Sequence, residues 1–248
     1  MKAAQDLFSK QATTYRKYRP TYPAELYDLL LSYTQGRDAC WDVGTGNGQV
    51  AAVLATHFKE VYATDLSTRQ LENAIQRPNI HYSASRAETP DFADGSFDLV
   101  TVGQAMHWFD HTAFNAEVNR VLKPGGVIAI WCYELSRVSP EIDAIIWQFY
   151  TEVIGRYWSE ERRFIDEHYV TIPFDFEEVS TPDDLQMKVS WDLSMMEGYL
   201  NSWSAVQKYI SENGRNPVDE LTRSLAPVWG QTLDVVFPLY LRVGKPIK

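Results

Sequence analysis

Cysteine is scarce in this 248-residue chain, with only Cys40 and Cys132, and neither a long apolar run nor a basic cluster accompanies it. Each absence excludes something. Two cysteines cannot build a disulfide framework or a cysteine-rich metal site, and both sit inside apolar runs (residues 39–41 and 130–132), which predicts buried free thiols. No stretch approaches ~18 uninterrupted apolar residues, and residues 1–6 lack the apolar core of a signal peptide, so a soluble cytoplasmic protein with no membrane partner is expected. Lys and Arg number 23 against 33 Asp and Glu, giving a formal charge of −10. The basic residues are spread singly or in pairs such as Arg162-Arg163, so no nucleic-acid partner is expected. An acidic small molecule stays open, because one or two arginines in a pocket outweigh the mean charge.

What is present is the composition of a globular chain, 45% hydrophobic and 23% charged, long enough for a substantial core. The first half alternates strand and helix patterns. Strands are predicted over residues 39–43, 60–64, 80–84, 97–102 and 127–131, separated by helices that include residues 50–55, a Ser67-capped segment and a segment carrying Phe114, Val118, Val121 and Leu122. Five such strands imply a parallel α/β sheet with right-handed crossovers. After about residue 134 the rhythm changes: an aromatic-rich helical segment over 140–168, a strand over 185–193, helices over 195–211 and 217–229, and a closing strand over 233–243. No repeat or linker interrupts it, so the second half reads as a cap built onto one sheet.

The turn Asp42-Val43-Gly44-Thr45-Gly46-Asn47-Gly48 lies where the first strand hands over to a helix, and its glycines let a ligand approach the backbone. A dinucleotide fingerprint would need glycine at position 49, where Gln49 stands, and its third glycine comes one residue early. Asp42 also places a carboxylate where a pyrophosphate would be repelled and an ammonium group welcomed. Asp65, ending the second strand, is placed to accept ribose hydroxyls in either nucleotide family. Ala87-Glu88 follows the third strand and can meet an adenine edge. Gln104 ends the fourth, between small Gly103 and Ala105, and can bond a polar ligand group.

Together, Asp42-x-Gly44-x-Gly46-x-Gly48, Thr64-Asp65-Leu66-Ser67, Ser96-Phe97-Asp98-Leu99-Val100 and Val121-Leu122-Lys123-Pro124-Gly125-Gly126 resemble the successive motifs of class I S-adenosylmethionine-dependent methyltransferases. The match covers roughly residues 37–132. Phe8, Tyr15, Tyr18-Arg19-Pro20-x-Tyr22-Pro23, His107-Trp108-Phe109-Asp110 and Gly198-Tyr199-Leu200-x-Ser202-Trp203-Ser204 further resemble the methyltransferase-11 type that includes trans-aconitate methyltransferase-like proteins. The resemblance implies a Rossmann-like, mostly parallel seven-stranded sheet with helices on both faces and a helical cap. It divides the chain into N-terminal lid helices (1–36), an S-adenosylmethionine-binding core (37–134), and a cap with closing strands of the same domain (135–248). It implies S-adenosyl-L-methionine as cofactor, contacted by Arg19, Asp42, Gly44, Gly46, Asp65, Leu66, Ala87, Glu88 and Gln104, with Tyr15, Tyr18 and Arg19 lining the site from the lid.

Methyl transfer from a sulfonium is an in-line displacement, so the protein mainly aligns the acceptor and excludes water. A carboxylate acceptor needs no base, whereas a phenol, amine or carbon acid would use His107, Glu134 or Tyr15. Tyr15 and His107 are therefore the candidates for positioning the acceptor. Tyr15, Trp108 and Trp131 are candidates for facing the sulfonium. His107 and His111, four apart, lack a third ligand, so no metal is expected and His111 reads as a surface or capping residue. The aromatics of residues 147–158 and 199–209 read as core or as the wall of an apolar acceptor pocket. Of Arg19, Arg156, Arg162 and Arg163, which could meet a carboxylate, solvated positions are expected for the last three. The leading expectation is O-methylation of a small carboxylic acid by a monomer or homodimer. The alternatives are a lipid-like or aromatic acceptor, a non-catalytic S-adenosylmethionine-binding protein, and a nicotinamide oxidoreductase.

Overall fold

Strand residues 127–132 alternate between two separate apolar cores. Val127, Ala129 and Trp131 face one, and Ile128, Ile130 and Cys132 face the other. A strand buried this way on both sides has helices on both faces, as a two-residue side-chain period requires. The computed structural model describes residues 18–247. The first half runs α1 (Ala24–Tyr33), β1 (Ala39–Val43), α2 (Gln49–Leu54), β2 (Glu60–Asp65), α3 (Thr68–Glu72), β3 (Ile80–Ala84), β4 (Phe97–Gly103), α4 (His111–Val121) and β5 (Leu122–Tyr133). The second adds α5 (Pro140–Gln148), α6 (Arg162–Asp166), β6 (Phe176–Val179), β7 (Gln186–Trp191), α7 (Leu193–Asn201), α8 (Ser204–Asn213), α9 (Val218–Trp229) and β8 (Leu233–Pro246).

The sheet order is β3-β2-β1-β4-β5-β8-β6, with β7 pairing on the amino-terminal half of β8. The pairs among β1 to β5 are parallel, and β8 runs antiparallel to β5, β6 and β7. This is the mostly parallel sheet with helical cap that was expected, with eight strands rather than seven. Strand order reverses between β1 and β4, so the turns after these two strands border one crevice at the carboxyl end of the sheet. Two of the quoted motifs lie at the opposite end: Asp98 accepts from the main-chain N–H groups of Asp38 and Ala39 and pairs with Lys123 at 3.0 Å. Their work is structural. Cys40 and Cys132 are buried and unbridged, as their apolar runs predict.

The sequence pattern misled in three places. The helical segment expected over 140–168 is broken: Ser139 caps α5, a wide turn occupies Phe149–Val153, a tight one follows at Gly155–Tyr157, and the chain re-enters a helix only at Arg162. Helix 195–211 splits into α7 and α8 at Ser202-Trp203. Strand β6 escaped notice because Glu177 and Glu178 are exposed in its four residues. No helix among the described residues is long and apolar enough to cross a membrane.

Candidate active site

Register explains the site. Asp42 stands opposite Thr101 across the β1–β4 pair, and Thr101 Oγ1 donates to Asp42 Oδ1 at 2.8 Å. Thr45, on the turn itself, donates to Asp42 Oδ2 at 2.5 Å. The carboxylate is 1% exposed, and burial pushes its pKa up to about 6 against the lowering effect of the two hydroxyls. Asp42 thus lies beneath the glycine turn and braces it from below. Above it, Gly44 and Gly46 adopt positive φ (65° and 54°). A Cβ on Gly44 would meet that of Ala105 at 2.6 Å, whereas one on Gly46 would meet nothing within 4 Å. At Gly46 the backbone therefore opens directly onto the crevice.

Asp65 draws the ends of β1 and β2 together. Its Oδ2 accepts from the Gly46 N–H at 2.9 Å and its Oδ1 from the Ser67 N–H at 2.8 Å, while Ser67 caps α3. Leu66 beside it is 54% exposed, an apolar face next to a carboxylate, which suits the base and ribose of a nucleoside. Ala87 is buried, and Glu88 Oε1 accepts from the Asp110 N–H at 2.9 Å, joining the loop after β3 to the loop after β4. Gln104 holds φ +56°, and its side-chain amide clips onto the main chain of Tyr133: the Tyr133 N–H donates to Oε1 at 2.9 Å.

A cavity opens beside Gln104, lined by Arg19, His107, Trp108, Trp158, Arg162 and Trp203 among others. Two motifs far apart in sequence meet at its rim. The Tyr18 ring packs so closely on Gly198 that a Cβ there would overlap it, the Arg19 guanidinium lies 5.2 Å from the Tyr199 ring, and Arg19 donates to the Tyr133 hydroxyl at 2.5 Å. Arg19, placed among the cofactor contacts from the sequence, thus faces this cavity. Arg162, expected to be solvated, has a side chain only 17% exposed, stands 4.7 Å from the Trp158 ring and 5.3 Å from that of Tyr150, and donates from Nε to the Tyr150 hydroxyl at 2.8 Å. Arg156 is exposed and Arg163 lies over Phe164.

His107 is 6% exposed, and burial, with the Arg162 charge adding to it, lowers its pKa to about 3. Its imidazole is neutral and a poor base. Glu134 pairs with Arg137 and with His168 Nε2 (3.0 Å) and does not line the cavity. His111 opens α4 with its ring edge-on to Phe164, and Asp110 provides the cap instead. Trp131 is fully buried under Gly103 and cannot face a sulfonium, whereas Trp108 reaches the cavity. Tyr15 and Phe8 lie outside the described residues. Sequence reasoning missed Tyr133 and Tyr169. The first ends a central strand, a position that could have marked it; the second sits 62 residues from its partner His107, and no local signal points to it. A further cavity, between Thr21, Tyr22, Tyr27, Gln49, Val53 and Ile75, holds none of the predicted residues.

Comparison with known proteins bears on the family and the fold. A family model described as a methyltransferase domain matches residues 41–130. A provisionally named methyltransferase of Dictyostelium discoideum is 36% identical over 97% of this chain and 95% of its own length. The solved structure of a provisionally assigned type II methyltransferase from Anaeromyxobacter dehalogenans superposes with a TM-score of 0.85 at 35% identity, over 93% of this chain and 99% of that one. An N-methyltransferase of Haemonchus contortus, solved with phosphomonomethylethanolamine and S-adenosylhomocysteine, shares the fold at a TM-score of 0.52 and 17% identity, over the whole of this chain and 61% of that one.

Proposed function

The chain belongs to the class I S-adenosylmethionine-dependent methyltransferases, and from that premise we propose that it methylates an oxygen of a small carboxylic acid held between Arg19 and Arg162. One observation carries the reading: the cavity beside Gln104 presents two guanidinium groups and, among the described residues that line it, no working base. An acceptor that must lose a proton to react would find nothing among the described lining residues to take it. A carboxylate is already ionised at neutral pH and needs only to be aimed.

Bound S-adenosylmethionine supplies the methyl group, activated on a sulfonium. The residues present fit it: the open backbone at Gly46 suits its amino-acid portion, Asp65 its ribose hydroxyls, Leu66 a face of the adenine and the Ala87 main chain its edge. Asp42 acts through the turn it braces. Arg19, on the segment that closes over the site, and Arg162, from the cap, hold the carboxylate from two sides, and the indoles of Trp108, Trp158 and Trp203 exclude water around it. Those indoles also favour an acid with a flat apolar body. We read residues 1–36 as the lid of this site and the core and cap as one domain.

The test is release of S-adenosylhomocysteine with fumarate, phenylacetate and indole-3-acetate, against their primary amides, phenol and aniline. Turnover of an acid but not its amide is expected, and Arg162→Gln should raise KM for that acid by about 10- to 100-fold, the loss of a charge-assisted hydrogen bond. Preference for phenol or aniline over every acid would reject the carboxylate reading in favour of a neutral aromatic acceptor.

A further inference from the structure

Among the described residues, three that are not glycine adopt positive φ: Gln104 (56°), His168 (56°) and Tyr169 (60°). Such conformations cost on the order of 1–3 kcal/mol each and persist only where the surroundings enforce them. All three bear on one place. Gln104 lines the acceptor cavity, and the His168-Tyr169 pair carries the Tyr169 hydroxyl to 2.7 Å from Nδ1 of His107, which lines it too. The enforcing contacts are explicit. Arg242 donates to the Tyr169 carbonyl at 2.7 Å and to that of Ile172 at 2.9 Å, His168 stacks on Tyr240 with ring centroids 3.6 Å apart, and the Tyr169 N–H donates to the Phe164 carbonyl at 2.7 Å.

The direction of the Tyr169–His107 bond follows from its neighbours. The Tyr169 hydroxyl is buried, and the acceptor it meets among the described residues is Nδ1 of His107, so donating to Nδ1 satisfies a proton that would otherwise be orphaned. An imidazole that accepts at Nδ1 while neutral carries its proton on Nε2. His107 lines the cavity, and no hydrogen bond among the described residues occupies its Nε2.

We propose that Tyr169 is a positioning residue that locks His107 as the Nε2–H tautomer, so that His107 donates a hydrogen bond to an oxygen of the bound acceptor rather than removing a proton from it. The donor adds to the two guanidinium groups and fixes which way the acceptor's oxygens turn. This rests on the carboxylate reading only for the identity of the acceptor oxygen; the tautomer is a property of the free protein.

The decisive measurement is nitrogen-15 NMR of histidine-labelled protein without acceptor, in which Nδ1–H and Nε2–H imidazoles give distinct shifts and couplings. An Nε2–H signal for His107, assigned by its loss in His107→Gln, is expected across pH 6–8; an Nδ1–H or doubly protonated ring overturns the proposal. With the acid turned over most readily among fumarate, phenylacetate and indole-3-acetate, Tyr169→Phe should raise KM about tenfold with kcat within about twofold. His107→Gln, whose amide N–H falls near the place of Nε2–H, should keep more activity than His107→Asn, whose amide falls near Nδ1. Equal loss in both, or a kcat defect without a KM effect, overturns the donor role. If none of the acids is turned over, the carboxylate reading fails while the tautomer measurement still decides this proposal.

Discussion

Replacing Asp65 with alanine removes a carboxylate that braces the turn and, in the proposed site, also holds the ribose, and the structure lets the two costs be separated. The main-chain N–H groups of Gly46 and Ser67 lose acceptors at 2.9 and 2.8 Å. The site is half-buried, so water replaces part of that bonding and each loss costs about 1 kcal/mol. For a chain of this length, a stability loss of about 2 kcal/mol lowers Tm by roughly 4–8 °C. The ribose hydroxyls lose a charged acceptor, which costs about 1.5–3 kcal/mol of cofactor affinity, or about 10- to 150-fold in Kd. Calorimetry with S-adenosylhomocysteine, run well below the lowered Tm, reads the second effect without the first: the stoichiometry stays at one site while Kd rises. Asp65→Asn keeps one oxygen but no charge and should fall between. A Tm drop with Kd unchanged within twofold would show that Asp65 only braces the glycine turn, and would remove it from the cofactor site.

Asp42 keeps its proton up to about pH 6 in the folded chain against 3.8 for the free group, so its contribution to stability is greatest below about pH 4 and is lost as pH rises through 6. Two pH units correspond to roughly 3 kcal/mol, so denaturant titrations should show Asp42→Asn gaining on the parent between pH 4 and 7; a pH-independent difference refutes the assigned shift. Gly46→Ala costs about 1–2 kcal/mol of stability for its positive φ; because its Cβ meets no protein atom, S-adenosylhomocysteine affinity should fall by more than that, and unchanged affinity would place the cofactor elsewhere. Gly198→Ala gains about 1 kcal/mol of helix propensity in α7 but displaces the Tyr18 ring and with it Arg19, so KM for the acid should rise while Tm holds; an unchanged KM would separate Arg19 from the acceptor. Above the Asp42 transition near pH 6 the rate with a carboxylate should be flat to pH 8, because His107 titrates near 3 and free carboxyls near ~4, and a limb above 7 would reveal a base.

The candidate cofactor side could be laid out from the sequence because its parts are local. Strands β1 and β3 fall where the apolar runs place them, and the glycine turn, Asp65 and Gln104 each follow directly from the end of one strand. A parallel sheet gathers such ends at one edge, so a motif read in one dimension becomes a site in three. The cap obeys no such rule. Its helices break at Phe149–Val153 and at Ser202-Trp203, where aromatic packing overrides helical periodicity, as in the Tyr150, Trp158 and Trp203 cluster with ring centroids 5.0–6.0 Å apart. The aromatics read as either core or pocket turn out to serve as both: Trp158 and Trp203 pack together and also line the cavity.

The proposed acceptor side is assembled from residues 19, 104–108, 133, 158–169 and 199–204, which no window of sequence spans, and its charge follows from that assembly. Arg19 and Arg162 approach one cavity from the N-terminal segment and from the cap. Two guanidinium groups bordering one partly dry space repel each other; the Asp166 carboxylate, 3.3 Å from Nε of Arg162, and the hydroxyls of Tyr133 and Tyr150 offset part of that repulsion. An anion held between them would offset it further. Its binding is therefore linked to the packing of Tyr18 on Gly198 and of Arg19 on Tyr199, because the state that binds the anion best is the one in which both cations are in place. The charge of the proposed carboxylate would thus fix its own orientation and favour the arrangement in which both arginines are seated. A neutral acceptor of the same shape would do neither, and the described residues that line the cavity offer no base to make it reactive.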